Sequence, residues 1–136
     1  MQSATGLTKS AGWEMGVRRT FPVPTEDAWR FLFSKNGLTI WLGKTKALGW
    51  KKGEPYVTSE GVEGVLKVFK EFSHVRLTWK RKVWAQFSTL QVRLIKTKDK
   101  TTISFHQERL SNAAQRKEML AHWTTVLDIV EKKWNA

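Results

Sequence analysis

The sequence predicts an α+β domain in which a meander of antiparallel strands is covered on one face by a single long C-terminal helix. Two patterns carry that reading. In 74–80, Val75, Leu77 and Trp79 alternate with Arg76, Thr78 and Lys80, and 87–96 repeats the alternation with Leu90, Val92 and Leu94 against Gln91 and Arg93. In 112–134 the period changes: Met119, Leu120, Trp123, Val126, Leu127, Val130 and Trp134 recur in steps of three and four. A strand with one apolar face needs cover. A helix of about 23 residues, roughly 34 Å long at ~1.5 Å per residue, needs a broad surface for its stripe. Each element answers the other's exposure.

Taken in order, residues 1–12 are small and polar and read as a disordered tail, with one domain spanning 13–136. From Trp13 to Phe21 the chain reads as a strand, Trp13, Met15 and Val17 on one face and Arg18 on the other, ended by Pro22 and Pro24. Thr25 is expected to cap a short helix with Glu26 and Asp27 in its first turn and Ala28, Trp29, Phe31 and Leu32 inward. Residues 34–37 read as a turn, and Leu38, Ile40, Trp41 and Leu42 as a second short helix closed by Gly43. Strands follow at 53–59, 64–72, 74–80, 87–96 and, after the Asp99–Lys100 turn, 101–108, where Ile103 and Phe105 alternate with Thr102, Ser104 and His106. For the long helix, Ser111 or Asn112 can cap the start, Gln115 can reach back to the cap backbone, and Lys132 and Lys133 complement the dipole at the end.

A chain of 136 residues suits one domain with one sizeable core. It carries eight Trp and seven Phe, more than a small closed core readily hides, so a lined cavity or groove is expected. With no cysteine there is neither a disulfide framework nor thiolate chemistry, which fits a cytoplasmic setting. No stretch has the length of a signal peptide's apolar run or of a membrane span. The formal charge of +12 favours an anionic partner, although basic residues spread over many segments read first as a solvated outer face.

Catalytic and metal sets are not expected. His74, His106 and His122 are scattered, with His106 outward by strand parity and His122 beside Trp123 on the helix. Glu26 and Asp27 belong to a helix start, Glu60 and Glu63 flank a turn at Gly61, and Glu108 is expected to pair with Arg109 or a lysine. There is no nucleophile elbow, and Gly61-Val-Glu-Gly64 lacks the lysine and the following helix of a phosphate loop. Trp79-Lys-Arg-Lys-Val-Trp84 interleaves cations with indoles as nucleic-acid grooves do. The strand pattern already accounts for Trp79, so a basic hairpin is the preferred reading and nucleic acid is disfavoured.

Several segments in order resemble one family: Val-Pro-Thr-Glu-Asp-Ala-Trp (23–29), Leu-Thr-Ile-Trp-Leu-Gly (38–43), Ser-His-Val-Arg-Leu-Thr-Trp (73–79), Thr-Thr-Ile-Ser-Phe-His-Gln-Glu-Arg-Leu (101–110) and His-Trp-Thr-Thr-Val-Leu (122–127). Together they resemble the AHSA1 (activator of Hsp90 ATPase homologue) branch of the START-like, or SRPBCC, superfamily, over nearly the whole of 13–134. The resemblance implies the helix-grip (Bet v1-like) fold: a curved antiparallel sheet wrapped around the C-terminal helix, two short helices between the first and second strands, and a deep apolar cavity between sheet and helix. By the same resemblance, Leu120, Trp123, Thr124 and Leu127 would wall the cavity from the helix. Leu77, Trp79, Leu90, Val92, Ile103 and Phe105 would wall it from the sheet, with Trp41 and Trp84 near the mouth. The resemblance leaves the function open; the aromatic excess at the cavity-facing positions favours binding of an apolar small molecule, lipid-like or aromatic, without cofactor or metal, oriented by a polar group such as Thr124, Gln107 or His122. The alternative is a protein- or nucleic-acid-interaction module working through its basic surface, co-chaperone-like, with a vestigial cavity. An enzyme acting on a hydrophobic substrate is a third reading. The eukaryotic co-chaperone carries a separate N-terminal domain for which this chain has no room, so the chaperone name is expected to describe homology only.

Overall fold

The computed structural model describes residues 6–8 and 12–135. The elements run β1 (Leu7–Thr8), β2 (Gly12–Phe21), α1 (Thr25–Leu32), α2 (Lys35–Trp41), β3 (Pro55–Val57), β4 (Glu63–Lys70), β5 (His74–Trp79), β6 (Ser88–Thr97), β7 (Lys100–Leu110) and α3 (Ala113–Trp134). The strands form one seven-stranded antiparallel sheet in the order β1-β2-β7-β6-β5-β4-β3, so β2 lies beside the last strand rather than beside β3. Most of the expected tail lies outside the described residues; within them, Leu7 and Thr8 pair with Trp13 and Gly12.

Period-two patterning sets the sheet's inner face. Val75, Leu77 and Trp79 of β5, Leu90 and Val92 of β6, and Ile103 and Phe105 of β7 are all buried, while Arg76, Gln91, Arg93, Ser104 and His106 point to the outer side. The helix lies across the inner face with Met119, Trp123, Val126, Leu127 and Val130 buried and Leu120 and Trp134 at the margins. Asn112 is its cap, accepting from the Gln115 backbone N–H at 2.8 Å. The Gln115 side chain reaches back as expected, accepting from the Ser111 N–H at 2.9 Å. Arg19 of β2 ties the far end of α3 to the sheet through Asp128 at 2.8 Å.

Three expectations of local structure need correction. Thr25 is the first helical residue rather than the cap; Pro24 holds the cap position without a side-chain bond, and the Thr25 hydroxyl bonds that of Thr101 at 2.9 Å. Residues 34–37 are not a turn: Ser34 caps α2 by accepting from the Gly37 N–H at 3.1 Å. Gly37 is there because α1 passes over it, and a Cβ would fall 1.8 Å from the Phe31 carbonyl oxygen. Glu108 pairs with neither Arg109 nor a lysine but with Arg76 of β5, at 2.7 Å.

The aromatic residues fall into packed groups. Trp29 and Phe33 of the α1 end stack at 4.3 Å, and Phe33 meets Trp50 and Phe69 at 4.8 and 5.6 Å, closing one end of the sheet. Trp134 rests edge-on against Phe21 at 4.8 Å. A third group lies beneath α3 and forms the centre of the molecule.

Candidate functional site

The residues expected to wall a cavity come together, but they fill the space rather than line it. Trp123 stacks on Phe105 with ring centroids 4.6 Å apart, and Trp79 lies 6.0 Å from Trp123 and 5.2 Å from Trp84. Leu77, Leu90, Val92, Ile103 and Leu127 are buried around them. Trp41 is also buried, its indole N–H donating to the Leu32 carbonyl at 2.7 Å, so it secures α2 to α1 and does not stand at an opening. Leu120 is half-buried at the margin. Thr124 lies on the exposed side of α3 with its hydroxyl donating to the Leu120 carbonyl at 2.7 Å. A hollow that touches this set, between Leu42, Leu48, Tyr56, Leu66 and Leu77, has a volume of about 10 Å³, room for one water molecule at most.

A buried polar chain runs through this packed centre. Trp123 Nε1 donates to Gln107 Oε1 at 2.8 Å, Gln107 Nε2 donates to Ser88 Oγ at 2.8 Å, and Ser88 Oγ donates to the Trp79 carbonyl at 2.6 Å. Gln107 sits at an inward parity position of β7 with no exposure, so its amide is spent on internal partners at both ends. The indole N–H of Trp79 is buried and has no acceptor among the described residues. Next to it, His122 lies 6.1 Å from Trp79 and 4.6 Å from Trp123. Burial, and then the charge of Arg81, pushes the His122 pKa down to about 4, so the ring is neutral at physiological pH. Arg81 is itself held to α3 by Glu118 at 2.6 Å. Both indoles of the Trp79–Trp84 segment thus turn inward; Arg81 lies 5.3 Å from the buried Trp79 ring, and Lys80 lies 5.6 Å from the exposed ring of Phe87.

An open groove of about 1010 Å³ lies elsewhere, between the loop after α2, the edge strand β3, the start of β4 and Phe87. Its outer wall is shaped by Glu54, whose carboxylate accepts the backbone N–H groups of Gly49 and Lys51 at 2.8 and 3.1 Å. Those bonds, the Gly49 one foremost, lower its pKa. Leu48, Pro55, Tyr56, Val57 and Val65 give the groove an apolar lining, and Lys44 and Lys46 stand beside them. Tyr56 is fixed by donating to the Thr78 carbonyl at 2.6 Å, and burial pushes its phenol pKa up. None of these groove residues stood out in the sequence, because the loop that completes the groove has no periodic pattern.

The outer face of the sheet carries a feature that strand register alone creates. Arg18 pairs with Ser104, Ser104 with Arg93, Arg93 with His74, and His74 with Lys70, one line across five strands. At ~4.8 Å per strand the line spans roughly 19 Å. No carboxylate forms an ion pair with Arg18, Arg93 or Lys70 among the described residues. The local field is visible in His74, whose pKa is lowered by partial burial and then by Arg93, Lys70 and Arg76.

A curved antiparallel sheet closed over one long C-terminal helix, with two short helices after the first long strand, is the helix-grip architecture of the START-like/SRPBCC superfamily. Within it, residues 22–132 match the family described as "Activator of Hsp90 ATPase homolog 1-like protein", and the chain belongs to that family. Its fold is similar to that of CalU16 from Micromonospora echinospora (15% identity, TM-score 0.77, covering 88% of this chain and 74% of that one). It is similar also to PFC0360w, an HSP90 activator from Plasmodium falciparum (19%, 0.73, 90% and 96%), and to the Aha1 dimer from Colwellia psychrerythraea (12%, 0.70, 86% and 92%). A comparison of the sequence with curated proteins finds no match. No helix among the described residues is long and apolar enough to cross a membrane.

Proposed function

We propose that this chain is a protein-interaction module that docks an acidic partner on the outer face of its sheet. The observation that carries the reading is the line Arg18, Arg93 and Lys70, three cations held on rigid strands without carboxylate partners. Unneutralised charge of this kind, carried on paired strands, steers association and sets register. An acidic protein suits the face better than nucleic acid, since single-stranded nucleic acid binding draws on stacking aromatics and the indoles of the Trp79–Trp84 segment are buried. The family description makes an Hsp90-type chaperone the first partner to try. The test is binding of the purified protein to such a chaperone, with chaperone ATPase rate as a second readout. Arg18→Glu, Arg93→Glu and Lys70→Glu combined should abolish binding, and wild-type affinity should fall with salt. Equal binding by the triple variant would remove the reading.

One observation favours a second reading, the binding of an apolar small molecule. Between sheet and helix a ligand would have to displace Trp84 or Trp123, whereas the groove beside β3 offers about 1010 Å³ against Leu48, Tyr56 and Val65. Native mass spectrometry of the purified protein is its test: a co-purified apolar species lost in Val65→Glu supports the groove, and an empty protein counts against the reading.

A further inference from the structure

Beyond the cationic line, the β2–β7 end of the outer face brings together three groups able to ligate a metal, Glu14, His106 and Glu108. β2 and β7 lose register between Trp13 and Met15, which pair with Leu110 and Gln107, so Glu14 alone faces Glu108 and Arg109. Arg109 absorbs the extra residue in the left-handed region at φ 63°. On β7, His106 and Glu108 are two apart and therefore share a face, and the bulge brings Glu14 alongside them. One ligating atom from each of Glu14, His106 and Glu108 lies within 4.8 Å of the others, all three half-buried.

The geometry points to a binding site for one divalent transition-metal ion at Glu14, His106 and Glu108. His106 Nε2 and Glu14 Oε1 are 3.5 Å apart. That is longer than the ~2.8 Å of a charge-assisted hydrogen bond. It matches the roughly 3.4 Å between two ligands that each sit about 2.1 Å from a shared tetrahedral ion. One imidazole nitrogen with two carboxylates suits a borderline ion such as Zn²⁺ or Co²⁺; the hard ions Ca²⁺ and Mg²⁺ favour all-oxygen shells over an imidazole ligand. Two carboxylates cancel the charge of the ion, and water completes its shell. Arg76 holds Glu108 by one oxygen at 2.7 Å, an outer contact that fixes the carboxylate while its second oxygen turns to the ion.

The test uses untagged full-length protein. Calorimetry with ZnCl₂ should give one ion per chain, and Co²⁺ should show the visible d–d absorption of a tetrahedral site. His106→Gln and Glu14→Gln should each weaken binding by at least about tenfold, or 1.4 kcal/mol, while His74→Gln should bind like wild type. Paramagnetic broadening by Co²⁺ needs no variant: the His106 ring signals should vanish before those of His74 and His122. No heat with Zn²⁺, equal affinity in His106→Gln, or equal broadening of all three histidines would overturn the site and leave the His106–Glu14 contact and the Arg76–Glu108 ion pair without a metal role.

Discussion

Trp123 on the long helix and Gln107 on the strand beneath it are joined by a buried hydrogen bond of 2.8 Å, made where neither residue is exposed. The bond sets the depth and rotation of α3 over the sheet, because an indole has one donor and the amide one oxygen to receive it. That bond and the stacked ring of Phe105 fill the space between the helix and the sheet.

Gln107→Leu keeps the volume and removes both amide bonds. Trp123 Nε1 is left as a buried donor without an acceptor, and Ser88 Oγ loses its incoming donor. The expected loss is about 1–3 kcal/mol of unfolding free energy, read from the urea midpoint. A variant as stable as wild type would show that water reaches Trp123.

His122 makes stability depend on pH. Unfolded, its ring titrates near 6.5; folded, burial and then Arg81 hold it at about 4. Between those values the unfolded chain binds the additional proton, so stability is complete above pH 6.5 and declines as pH falls toward 4. The part due to this ring is on the order of 2 kcal/mol, with allowance for screening by water. Urea midpoints at about pH 7 and pH 4.5 should differ less in His122→Gln than in wild type. Parallel declines in the two proteins would assign the effect to other groups.

Gly64 lies on β4 where the backbone of β5 passes closest. A Cβ there would stand 1.8 Å from the Thr78 carbonyl oxygen and 2.8 Å from the Tyr56 hydroxyl. Since the first obstacle is backbone, Gly64→Ala must spread β4 from β5, at a cost of about 1–3 kcal/mol or more. Gly53→Ala is the comparison for close approach, as nothing lies near its side-chain position and only its φ of 88° opposes the change. If Gly64→Ala melts no lower than Gly53→Ala, steric contact is not the reason for glycine at 64.

The fold was legible because Val75-Leu77-Trp79 and Met119-Trp123-Val126-Val130 follow two different periods, each with one apolar face. Gly37 misled because glycine marks both turns and close helix approaches, and which applies depends on where Phe31 lies. The aromatic residues were legible as inward but not as filling: parity says that Trp79, Phe105 and Trp123 face one another, and only coordinates say that they touch. Gln107 carried a usable signal, a polar residue at an inward strand position, which reads equally as a ligand contact or as a spent internal partner. The line Arg18–Arg93–Lys70 and the trio at the bulge carried none. Both depend on register between segments far apart in sequence.

Strand order has a consequence for how the molecule comes into being. β2 is made before every other long strand of the domain, yet its partner is β7, with Trp13 opposite Leu110 and Phe21 opposite Thr101. Closing that pair joins the two ends of the domain, and the helix that seals the inner face is made later still. A chain leaving the ribosome therefore carries its apolar strands uncovered until almost the last turn of α3 has emerged. Folding awaits emergence of the whole domain and is slowed by such distant contacts. Holding the unfinished chain soluble falls to its abundant lysines and arginines, and to whatever chaperone meets it first.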